Sequence, residues 1–187
     1  MKKIKWGVMG TAFICERSTF PGMLQAENCE MYAIAGRSME KAEQFKEKYG
    51  FEKAYGSYEE LLTDPEIEAV YIPLPNTMHY EWTIKALKSG KHVLCEKPVA
   101  SNEKELRAML AAAKEHGVVF MEAMKLVINP AFDAIMENLP KLGKIRRVTF
   151  QMCQYSSRYD KFKNGIIENA FRPELSNGSL MDIGVYC

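Results

Sequence analysis

The sequence carries almost no net charge: 25 lysines and arginines face 24 aspartates and glutamates, leaving +1. No global field therefore draws it to nucleic acid or to an anionic membrane surface. It has no CxxC pair. Its five cysteines, Cys15, Cys29, Cys95, Cys153 and Cys187, are scattered and odd in number. That suggests neither a zinc site nor a redox dithiol, and it predicts reduced thiols in a cytoplasmic protein. No apolar run reaches the length of a membrane span. The one in the basic start "MKKIKWGVMG" is too short for a signal-peptide core before it meets a glycine turn. Repeats and low-complexity tracts are absent as well. What is present is an ordinary globular composition, 47% hydrophobic and 26% charged over 187 residues. A chain of that length buries a core without staples.

Short apolar runs alternate with longer amphipathic ones. "IKWGVMG", "MYAIAGRS", "IEAVYIPLP", "KHVLCEKP" and "VVFMEAMKL" read as strands. Between them, "MEKAEQFKEKYG" stops at Gly50, "SYEELL" opens on a capping box of Ser57 and Glu60, "MHYEWTIKALKSG" closes at Gly90, and Asn102 with Glu105 starts a helix that ends at Gly117. The strands lack a period of two, as strands buried on both faces should. The expectation is an α/β fold: a doubly wound parallel (Rossmann) sheet over residues 1–122. From 123 to 187 the pattern changes. "NPAFDAIMENLPKLG" predicts a helix broken near Pro140, Ile145 to Tyr155 predicts a half-exposed strand, and 156–178 is a long polar loop. One strand and a broken helix cannot bury both faces of a sheet, so this part is expected to be an incomplete α+β second domain. Its exposed apolar surface predicts self-association into a homo-oligomer.

The turn "GTAFIC" follows the first strand. Gly10, Thr11, Ala12, Phe13, Ile14 and Cys15 fit the spacing of G-x-G-x-x-G/A, with Ala12 at the second glycine and Cys15 at the third. Such a turn needs close backbone approach and free amides at a helix N-terminus, which suits a pyrophosphate. A plain strand-to-helix turn shares the spacing; the βαβ context is what favours the dinucleotide. The second strand ends "AGRS". Gly36 stands where an NAD site wants an acid for the ribose hydroxyl, and Arg37 and Ser38 follow. A guanidinium fork and a hydroxyl suit a 2′-phosphate, which predicts NADP over NAD.

Two further strand ends carry chemistry: Leu74, Pro75, Asn76 and His79 in "PLPNTMHYE", and Glu96, Lys97 and Pro98 in "CEKP". Ligands bind at the carboxyl ends of parallel strands. Together with the glycine turn, "GKHVLCEKPVA" resembles the glucose–fructose oxidoreductase / inositol dehydrogenase / MocA (Gfo/Idh/MocA) family. The ending "LMDIGVYC" is most similar to its NADP-dependent dihydrodiol and xylose dehydrogenase branch. The resemblance implies hydride exchange between nicotinamide and a sugar, polyol or diol carbon, and a second domain whose sheet commonly forms a dimer. It assigns Lys97 as the catalytic lysine, often before a cis proline, with Glu96, Asn76 and His79 near the cofactor. It assigns Asp182 and Tyr186 to a D-x-x-x-H/Y element in which the tyrosine exchanges a proton. Against the family pattern the chain reads as truncated, degenerate or part of a longer product.

The chemistry agrees with those assignments. Removing hydride from a carbinol requires a base for the hydroxyl proton, and an ammonium beside a phenol favours the phenolate. Lys97 and Tyr186 would titrate as a coupled pair. His92, His116, Met121 and Met124 read as packing residues, and "KIRRV" as a solvated edge. The alternative is a non-catalytic nucleotide-binding or interaction protein on the same scaffold. A methyltransferase would want an acid where Gly36 stands. The substrate is not readable, and its contacts are expected from the 156–178 loop.

Overall fold

The structure, a computed structural model, describes residues 2–186. Cys187, one of the thiols expected to be reduced, lies outside the described residues. Cys15, Cys29, Cys95 and Cys153 are free thiols. The chain divides into two compact units, Met1–Glu122 and Ala123–Cys187.

The first unit is a six-stranded, wholly parallel sheet. Its strands are β1 (Ile4–Met9), β2 (Cys29–Ala35), β3 (Lys53–Tyr55), β4 (Ala69–Ile72), β5 (His92–Cys95) and β6 (Phe120–Glu122), in the order β3-β2-β1-β4-β5-β6. The helices between them are α1 (Phe20–Gln25), α2 (Met39–Tyr49), α3 (Tyr58–Thr63), α4 (Asn76–Lys88) and α5 (Glu103–His116). Helix ends follow local chemistry. Ser38, Ser57 and Asn102 accept hydrogen bonds from amides three residues on, while Gly50 and Gly117 close α2 and α5 in the left-handed conformation.

Side chains alternate across the strands and build two cores. Val8, Ile34 and Tyr71 pack with Cys15, Phe20 and Phe51 on the face covered by α1 and α2. Met9, Ala35, Val70, Ile72 and Cys95 join Leu61, Trp82, Leu87 and Met109 on the face covered by α3, α4 and α5. Near one sheet edge Asp64 is buried. Burial opposes its charge, but the Tyr55 hydroxyl (2.6 Å), the Lys53 ammonium (2.9 Å) and the Glu66 amide (2.9 Å) outweigh it and hold the carboxyl below its ordinary range. Among the described residues no helix is long and apolar enough to cross a membrane.

Among the described residues the second unit holds only short helical segments. Helix α6 (Pro130–Asn138) starts on Asn129, whose side chain accepts from the Ala131 amide, and passes at Leu139 into a 3-10 turn containing Pro140. Two further helices follow, α7 (Tyr159–Lys163) and α8 (Ser179–Asp182). The strand expected over Ile145–Tyr155 does not form. Alternating polarity is necessary for a half-buried strand but not sufficient. A strand also needs a neighbour for its amides and carbonyls, and none is paired with this segment among the described residues. The α+β expectation for this unit is corrected accordingly: its described part is helical and irregular.

Candidate functional site

The strand order reverses between β1 and β4, and the cleft lies there, at the carboxyl ends of β1, β2 and β4. It encloses about 290 Å³ and is lined by Gly10, Thr11, Ala12, Gly36, Arg37, Ser38, Lys41, Tyr58, Pro73, Leu74, Pro75 and Met78. That is where open α/β sheets take ligands.

Gly10 leaves β1 with φ +124°, and its amide donates to the Ala35 carbonyl at 2.8 Å. A Cβ there would meet Leu74 Cδ2 at 3.2 Å, so the floor of the cleft is bare backbone by necessity. Ala12 replaces the second glycine at no conformational cost, because among the described residues Ser176 is the one non-glycine with positive φ. The helix leaving the turn is π-wound over Cys15–Thr19 before α1 begins. Cys15 is buried under it, and burial pushes its thiol up to about 12, so it packs as a neutral group. The side chains of Phe13 and Ile14 point away, 72% and 38% exposed. What they offer a ligand is their first-turn amides.

At the end of β2, Arg37 and Ser38 are exposed at the rim. Ser38 spends its hydroxyl on the Lys41 amide. Lys41, one turn into α2, adds a second cation to the same wall. A Cβ at Gly36 would lie 3.1 Å from the Ser38 carbonyl, so an acid there would push on backbone. Tyr58 sits opposite, edge-on to Trp82 at 4.9 Å, with its phenol raised by burial and Arg37 acting in the other direction.

Beyond the cleft, β5 ends in the Glu96–Lys97–Pro98 turn, and the Lys97–Pro98 bond is cis. The turn is held on several sides. The Glu96 amide donates to the Ile72 carbonyl (3.1 Å), and the Val99 amide donates to Glu122 Oε1 (2.9 Å). His79 is fully buried, with Nδ1 at 2.8 Å from the Pro98 carbonyl oxygen and Nε2 at 2.8 Å from that of Leu74. It therefore ties the β4 and β5 ends together. Asn76 is the first residue of α4. Neither His79, Asn76, Glu96 nor Lys97 lines the cleft. In the second unit Asp182 ends α8, and Tyr186 ends a 3-10 turn closed by its amide on the Ile183 carbonyl at 3.0 Å.

Sequence reasoning missed Lys41, Tyr58, Met78 and the role of Pro73 in the wall. Lys41 had a signal, a cation one helical turn beyond "GRS"; Tyr58 had none, since it arrives from a separate helix.

Burial is the largest influence on His79 and lowers its pKa from 6.5, against the two carbonyls, which favour the charged ring. The unfolded chain thus binds more protons once the pH drops below that value. Stability present above it is lost as the pH falls toward the folded value. Thermal unfolding between about pH 7.5 and about pH 5.5 should show this loss, and His79→Gln should flatten it. An identical slope in the variant would assign the loss to other groups.

The family model described as oxidoreductase family, NAD-binding Rossmann fold (Gfo/Idh/MocA) matches residues 4–124. The chain is 46% identical over 184 residues to scyllo-inositol 2-dehydrogenase (NADP(+)) IolU of Bacillus subtilis, covering 98% of this chain and 56% of that protein. It is 37% identical over 182 residues to D-xylose 1-dehydrogenase (NADP(+)) 2 of Haloferax volcanii, covering 97% and 54%. Among solved structures, KijD10, a 3-ketoreductase from Actinomadura kijaniata in complex with NADP, superposes with a TM-score of 0.71 at 35% identity, covering 75% of this chain and 44% of that one. Variants of KijD10 at one lysine and at one tyrosine have also been solved. The chain spans about half the length of the curated relatives it matches.

Proposed function

The chain belongs to the Gfo/Idh/MocA oxidoreductase family, and from that membership we propose that it binds NADP(H) and serves hydride transfer at a carbinol carbon of a sugar, polyol or diol. The observation that carries the NADP reading is the wall at the end of β2. Arg37, Ser38 and Lys41 present two cations and a helix-capping serine, and Gly36 leaves no room for a competing acid without moving backbone. A planar guanidinium and an ammonium suit a phosphate dianion better than a ribose diol. NADP(+) stands in the names of IolU and the xylose dehydrogenase, and KijD10 was solved with NADP, which supports the same cofactor here.

The residues present fit the group. Gly10 keeps the cradle open, the helix amides beyond it would hold a pyrophosphate, and with a 2′-phosphate at the end of β2 the nicotinamide half would reach toward the β4 and β5 ends. When bound, the nicotinamide supplies the hydride acceptor or donor. Lys97, on the turn after β5, is the residue proposed to handle the hydroxyl proton. The proposed roles of Tyr186 and Asp182 in that exchange rest on the family resemblance alone. The variants of KijD10 concern the same two residue types, lysine and tyrosine, which supports choosing Lys97 and Tyr186 for mutation here.

Fluorescence titration with NADPH and NADH tests the reading. NADPH should bind more tightly, and Arg37→Ala should weaken NADPH by about 10- to 100-fold while leaving NADH nearly unchanged. Tighter NADH binding by the wild type would overturn the cofactor assignment. Tight NADPH binding without turnover on a panel of sugars, polyols and diols would favour a non-catalytic nucleotide-binding protein.

A further inference from the structure

Three polar side chains on three separate elements form a chain that the hydride-transfer reading does not use. Thr19, the last residue of the π-wound turn behind the glycine loop, donates its hydroxyl to Tyr71 Oη at 2.8 Å. Tyr71, on β4, donates its own hydroxyl to Glu96 Oε1 at 2.5 Å. Both directions are fixed, because a carboxylate only accepts. Strand alternation explains the meeting. Tyr71 belongs to the core on the α1 side, Cys95 faces the opposite core, and Glu96 therefore turns back toward α1.

Tyr71 is 1% exposed, and a buried phenol requires a partner. One would suffice. It has two, and they sit on the two elements flanking the cleft: the phosphate-turn helix and the lysine turn. The π-turn bears on this as well, since the extra residue per turn changes which side chains face the sheet, and such turns are frequent at functional sites. Burial first, and the Glu96 charge second, push the Tyr71 phenol far above its ordinary value, so it stays a donor at every working pH.

We propose that Tyr71, anchored by Thr19, is a positioning residue that holds Glu96, and with it the Glu96–Lys97–Pro98 turn, in register with the helix that receives the cofactor's pyrophosphate. The relay acts on the nicotinamide half of the dinucleotide and not on the adenosine half. This rests on the NADP reading above.

The test compares two ligands on the full chain: NADPH, and adenosine 2′,5′-bisphosphate, which has no nicotinamide. Tyr71→Phe keeps the buried ring and removes only the hydroxyl. It should weaken NADPH by about fivefold or more and leave the bisphosphate within about twofold. Thr19→Val should act in the same direction by about two- to threefold, and it carries the test if Tyr71→Phe fails to fold. The double variant Tyr71→Phe/Glu96→Gln should bind NADPH no more weakly than the worse single one. Equal losses on both ligands, an additive double variant, or unchanged NADPH binding would each overturn the relay while leaving the cofactor reading intact. A wild-type chain that binds neither ligand would overturn the cofactor reading itself, and the relay's function with it.

Discussion

Replacing Lys97 with methionine should lower hydride transfer by about 10²- to 10⁴-fold, the usual contribution of a positioned acid or base, and leave NADPH binding largely unchanged. The separation follows from how the turn is built. Three of the bonds that hold it come from its backbone: the Glu96 amide on Ile72, the Pro98 carbonyl on His79, and the Val99 amide on Glu122. None of these three bonds uses the Lys97 ammonium. Methionine keeps the length and apolar stem of lysine, so the turn should hold its shape while the proton-handling group disappears. The residues proposed to contact the phosphates and the adenosine lie at the ends of β1 and β2 and on α2, away from the turn after β5. The measurement is kcat and KM on the best substrate of a sugar, polyol and diol panel, beside an NADPH titration. A fall in kcat at constant cofactor affinity is the signature of an interaction made only in the transition state. Retained turnover would remove Lys97 from the chemistry.

Gly10→Val should have the opposite profile, with cofactor binding lost first. At φ +124° an L-residue costs about 1–3 kcal/mol. Its Cβ would sit 3.2 Å from Leu74 Cδ2, 3.9 Å from Tyr58 Oη and 4.0 Å from Pro73 Cγ, and the valine methyls would project into the space the cleft encloses. The strain alone should lower Tm by about 2–12 °C for a chain of this size. The methyls should weaken NADPH by about 100-fold or more. Calorimetry and fluorescence titration read the two effects separately. Wild-type affinity in the variant would mean that no ligand approaches this turn.

The parts of the fold legible in the sequence are the local ones. Ser57, Asn102, Gly50 and Gly117 mark helix ends because capping depends on residues three or four apart. The four longer strands, β1, β2, β4 and β5, show as apolar runs because both their faces are covered. Strand β3 escaped notice because three half-buried residues carry no period. Ile145–Tyr155 was over-read for the converse reason: it has the period of a strand without the partner. The glycine turn and the "GRS" end of β2 were legible as chemistry, since each needs particular residues in a row. Tyr58 and Met78 were not, because only the winding of the chain brings α3 and α4 to the cleft. His79 shows a further limit. Its ring binds two backbone carbonyls, and carbonyls leave no trace in residue identity. Tyr71 is likewise silent in sequence, with partners 52 and 25 positions away.

The bond from the Val99 amide to the Glu122 carboxylate joins the lysine turn to the last strand of the sheet. An excised fragment ending after α5 would contain the phosphate turn, five strands and every residue lining the cleft. It would still lack one of the bonds that shape the turn carrying Lys97. The smallest autonomous piece worth expressing is therefore bounded not by where nucleotide contacts stop but by Glu122, whose side chain completes a loop on the strand beside it.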